Sequence, residues 1–78
     1  MDLLPEQCRA ARAIINMTQT QAAKAAGVSD VTIRNYETGK TELQPATRKV
    51  LQAALESAGV TFLGEGETTT GGPGVRLR

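Results

Sequence analysis

Histidine and tryptophan are absent from the 78 residues, and cysteine, tyrosine and phenylalanine occur once each. With no imidazole and a single thiol, the usual ligand set of a zinc site cannot be assembled. The same shortage removes the common general bases, and the carboxylates are scattered along the chain. No enzymatic role, metal or cofactor is therefore expected. Cys8 cannot close an internal disulfide, which fits a reducing compartment, and the expected localisation is cytoplasmic. No apolar run approaches the ~18 residues that span a bilayer. Asp2, Pro5 and Glu6 precede any hydrophobic stretch, so neither a membrane partner nor a signal peptide is expected. Charge of one sign is also lacking: nine Lys+Arg face eight Asp+Glu, for a net charge of +1. That balance does not exclude a nucleic-acid partner, because the local field rather than the net charge attracts one.

What is present is aliphatic and small. A core without bulky aromatics must come from Ala, Val, Ile, Leu and Met, and the many alanines predict closely packed helices. Pro5 suits the first turn of a helix, and "PEQCRAARAII" predicts one over residues 5–15, with Leu4, Cys8, Ala11 and Ile15 toward the core. In "TQTQAAKAAG", Thr18 and Gln21 have capping-box spacing, Ala22, Ala23 and Ala26 give a slim buried face, and Gly27 ends a helix over 19–26. "SDVTIRNYETG" repeats that grammar. Ser29 caps, Asp30 suits the positive helix end, and Gly39 closes a helix over 30–38. Only Gly27, Val28 and Ser29 separate these two helices, which forces a sharp corner. Pro45 restarts a helix over 45–58 whose apolar stripe is Val50, Leu51, Ala54, Leu55 and Ala58.

Beyond Gly59 the composition changes. "VTFL" is β-branched and aromatic, "GEGETTTGGPG" is turn-rich, and "VRLR" alternates apolar and basic residues. Two short strands joined by a loop are expected, needing a neighbour because an isolated hairpin is marginal. The neighbour is either the chain's own helices or a second subunit. The division expected is a helical domain over 1–59 and a strand and glycine-rich tail over 60–78. "GKT" at 39–41 is no phosphate-binding loop, since Arg34 stands where that motif needs its first glycine.

With Thr18-Gln19, Ala22-Ala23, Gly27-Val28-Ser29, Thr32-Ile33, Tyr36-Glu37 and Gly39-Lys40 at fixed spacing, residues 5–60 resemble the Xre/Cro family of helix-turn-helix transcriptional regulators, which includes phage repressors. The resemblance implies an all-α, lambda-repressor-like bundle of four helices, here with a short β-type C-terminal tail where family members often carry a fifth helix. It implies a sequence-specific binder of a double-stranded DNA operator. The expected mode is a repressor acting as a homodimer on a roughly palindromic site, with a regulatory protein as a further partner.

In such a fold the third helix enters the major groove by its N-terminal end. The resemblance thus places Asp30, Val31, Thr32, Arg34 and Asn35 at base edges, and Gln19, Ser29, Lys40 and Thr41 at phosphates. Asn35 can pair with adenine, Arg34 with guanine or a phosphate, and Val31 or Thr32 can touch a thymine methyl. Asp30 is either a helix-start residue or an acceptor for the cytosine amino group. Arg12 and Glu37 occupy positions that pair in related repressors. A surface bridge there is worth about 0–1 kcal/mol, and the alternative is two solvated charges. Val60, Phe62, Leu63, Val75 and Leu77 are the expected dimer or partner residues. The competing reading is an antitoxin-like or protein-interaction module whose tail adds a strand to a partner. Steep salt dependence separates operator binding from such a contact.

Overall fold

Among the described residues, three of the four helices end through one device, and that device sets the turns of the bundle. In the computed structural model, which describes residues 2–64, 66 and 71–78, α1 (Pro5–Ile15) ends on Asn16, whose backbone is left-handed at φ 56°. α2 (Gln19–Ala26) ends on Gly27 at φ 75°, and α3 (Asp30–Glu37) is closed by Thr38 and Gly39, the latter at φ 80°. Each time the following amide reaches back to a carbonyl five residues earlier: Met17 to Arg12 (2.9 Å), Val28 to Ala23 (3.0 Å) and Lys40 to Asn35 (2.9 Å). This Schellman arrangement satisfies carbonyls that would otherwise be orphaned at the helix end. A left-handed backbone strains a Cβ-bearing residue, which explains glycine at two of the three sites. Asparagine at the third is the side chain that best tolerates it.

α4 (Pro45–Ser57) lies against α2, and the slim Ala22–Ala23 face permits the close approach. The core gathers Leu3, Cys8, Ala11, Ala22, Ala23, Ile33, Tyr36, Leu43, Leu51 and Leu55, with Val60 and Phe62 from beyond Gly59. β1 (Val60–Leu63) and β2 (Gly74–Leu77) form an antiparallel hairpin in the register Val60–Leu77, Thr61–Arg76, Phe62–Val75 and Leu63–Gly74. The four-helix, short-hairpin architecture is that expected from the sequence. The neighbour the hairpin needs is its own chain, since β2 packs along α1 and β1 along α4. The glycine-rich linker falls partly outside the described residues.

Several expectations need correction. Val60 (1% exposed) and Phe62 (7%) cannot serve as partner residues, because alternation turns both into the chain's own core. The core therefore does not stop at Gly59. Leu77, on the same face, is 61% exposed, while Val75 and Leu63 are half-buried. Val50 and Ala58 are exposed and leave the core stripe of α4 to Leu51 and Leu55, with Ala54 half-buried. At the N-terminus Leu3 is buried rather than Leu4. Tyr36 Oη donates to the Leu3 carbonyl at 2.7 Å, which pulls that residue inward.

Gln7 is buried and was not anticipated. Its Oε1 accepts from the Leu4 amide (3.0 Å), supplying the cap that no Ser or Thr provides before Pro5. Its Nε2 donates to the carbonyls of Leu63 and Gly74, 3.0 Å each. One carboxamide thus caps α1 and clamps the last pair of the hairpin.

Candidate nucleic-acid interface

The inner side of α3 decides how its outer side is presented. Ile33, Tyr36 and Glu37 are its buried residues. Glu37 is the exceptional one, a carboxylate only 1% exposed, which must be paired and hydrogen-bonded to be tolerated. It is: Oε2 accepts from Arg12 Nε (2.6 Å) and Cys8 Sγ (3.2 Å), and Oε1 from Arg12 Nη2 (2.7 Å) and Gln19 Nε2 (3.1 Å). The bidentate Arg12 fork also donates from Nη1 to the Met17 carbonyl at 3.0 Å, and Arg9 donates to the Glu37 carbonyl. The expected surface bridge is therefore a buried junction joining α1, α2 and α3.

Electrostatics follow from that geometry. Burial works to raise the Glu37 pKa, but donation by Arg12, Gln19 and Cys8, with the arginine charge, outweighs it and holds the carboxyl below its ordinary value. The Cys8 thiol is pushed up to about 12, first by burial and then by the bond to Glu37 and its negative charge. A buried, fully protonated thiol is unreactive. Iodoacetamide at neutral pH is thus expected to leave Cys8 unlabelled in the native protein and to label it fully in denaturant, as read by mass. Rapid native labelling would mean that the junction opens.

The outer side of α3 carries Asp30, Val31, Arg34 and Asn35, all exposed except the half-buried Asn35. The side chains of Arg34 and Asn35 have no hydrogen-bonding partner among the described residues. Asp30 does: Thr20 Oγ1, on α2, donates to its Oδ2 at 2.6 Å. Thr32 is half-buried, with its hydroxyl 3.0 Å from Ser29 Oγ, which itself accepts from the Thr32 amide at 3.2 Å. Ser29 and Thr32 thus serve the cap. Gln19, at the first turn of α2, commits one amide N–H to Glu37 and keeps its second. Lys40 and Thr41 are exposed just past α3. Thr20 escaped sequence reasoning because its bond to Asp30 exists only once the turn has brought the two helix starts together.

Residues 9–61 match the family model for the helix-turn-helix, HTH_3. The match covers more than half of the chain, so the chain belongs to this helix-turn-helix family, in its Xre/Cro type. The type II methyltransferase M.MspI of Moraxella sp is 40% identical to it over 52 residues, which are 67% of this chain and 12% of that relative. The chain thus spans only a small part of the methyltransferase. No helix among the described residues is long and apolar enough to cross a membrane.

Proposed function

We propose that this chain is a sequence-specific repressor that binds a near-palindromic operator as a homodimer in the cytoplasm. The observation that carries this reading is the division of α3. The residues it turns inward, Ile33, Tyr36 and Glu37, are buried, and Arg34 and Asn35, whose side chains have no hydrogen-bonding partner among the described residues, lie on the other side. In this reading Asp30, Val31, Arg34 and Asn35 meet base edges. Gln19, Ser29, Lys40, Thr41 and the first amides of α2 meet phosphates. With few cations on that side, the affinity of one subunit is modest, which favours a dimer whose half-site centres lie about one helical turn apart. The exposed side of α4 with Val50, and the strand β2 with Leu77, offer the contact between subunits.

Asn35→Ala tests the reading. It should cost about 1–3 kcal/mol on the site selected from random duplexes and leave binding to random DNA nearly unchanged, measured by fluorescence anisotropy. Equal losses on both would reduce Asn35 to a backbone contact. One observation favours a second reading, as a protein-interaction module: β2 borders the hairpin and ends in Leu77, 61% exposed. A partner strand added there would bind with little dependence on salt, unlike an operator.

A further inference from the structure

The leading end of α3 carries two consecutive exposed residues of opposite chemistry. Asp30 is exposed, with Oδ2 held by the Thr20 hydroxyl at 2.6 Å, and its Oδ1 has no partner among the described residues. An ionised carboxylate only accepts hydrogen bonds, and the anchor on α2 restricts where this one can point. Val31 follows, 50% exposed, outside the core, and stiff because it is β-branched. The neighbouring Thr32 hydroxyl is engaged with Ser29 and does not compete for the same ground. Arg34, four residues after Asp30, lies on the same side and offsets the repulsion between a carboxylate and the phosphates.

On the major-groove edges, an acceptor is welcomed by the amino groups of cytosine and adenine and repelled by the O4 of thymine and the O6 of guanine. An isopropyl group gains from a methyl. Thymine has the methyl, but its O4 stands beside it. Cytosine has the amino group, but its C5 is bare. Only a cytosine methylated at C5 places an amino donor beside a methyl on one base. We propose that α3 reads 5-methylcytosine: Asp30 Oδ1 accepts from the N4 amino group, Val31 packs on the 5-methyl, and Thr20 is the positioning residue that aims Asp30. This specificity rests on the operator-binding reading given above.

The test begins with two selections by the full chain, from random duplexes made with cytosine and from random duplexes made with 5-methylcytosine. Enrichment in neither pool would overturn operator binding itself. Given an enriched site, anisotropy is measured on synthetic duplexes carrying cytosine, 5-methylcytosine or thymine at each cytosine in turn. At one position per half-site the methylated base should bind roughly fourfold tighter than cytosine, as expected for covering one methyl. At that position thymine should bind about tenfold worse than 5-methylcytosine. Val31→Ala should abolish the methyl gain and keep the same preferred site. Thr20→Val should shrink the discrimination against thymine and leave the methyl gain. Equal affinity for cytosine and 5-methylcytosine at every position would overturn the inference while leaving operator binding standing. So would a loss on replacing a neighbouring thymine by deoxyuracil without any gain from 5-methylcytosine, since Val31 would then sit on that thymine.

Discussion

Glu37→Ala is expected to destabilise the domain by about 3–5 kcal/mol, the cost of leaving one member of a buried ion pair without its partner. Arg12 stays half-buried with its fork unmatched, and Cys8 and Gln19 each lose an acceptor. Domains of this kind have only about 5–15 kcal/mol to lose, so urea denaturation followed by circular dichroism should show a much lowered midpoint. A loss below about 1 kcal/mol would mean that the junction behaves as an exposed bridge. Acid makes the same point without a mutation. The folded-state pKa of Glu37 lies below its ordinary value of 4.5. Its contribution is therefore complete above that ordinary value and disappears as pH falls through the lower, folded-state value. Glu37→Gln, which cannot ionise, should flatten that acid limb.

Ending the chain at Gly59 is expected to abolish stable folding rather than merely change oligomeric state. Such a truncation removes Phe62, whose loss from a core costs about 3–5 kcal/mol, and the fully buried Val60 with it. It also strips Gln7 of both carbonyls that its Nε2 binds. Thermal unfolding should lose its cooperative transition. A truncated chain that melts cooperatively near the full-length midpoint would show that the hairpin is an accessory. Solution mass for the dimer is better read on Leu77→Glu, which changes an exposed side chain and leaves the core alone.

The helices were legible because their ends are written in local chemistry. Thr18 with Gln21, Ser29, Gly27, Gly39 and the two prolines act within a few residues of where they stand, and the observed bounds differ from the expected ones by a single residue at the ends of α3 and α4. What stayed hidden depends on neighbours distant in sequence. Periodicity placed Val50 in the α4 stripe, but the core needs only the width filled by Leu51 and Leu55. Glu37 looked like a surface charge because nothing local indicates that four donors from two other helices converge on it. Gln7 looked like a helix former, yet two of its three bonds reach residues 56 and 67 positions away. The outer side of α3 was legible as a set of residues. The division of labour within it, with Thr32 on the cap and Asp30 tied to Thr20, was not.

The clamp made by Gln7 also ties the open end of the strand pair to α1. The carboxamide grips the strand pair Leu63–Gly74, where the two strands leave the ladder. Strand register is thus decided at that pair and by the burial of Val60 and Phe62, with no help required from the turn. Substitutions between the two strands are therefore expected to leave that register unchanged. Evolution has a site here at which sequence can drift while the recognition helix stays where it is.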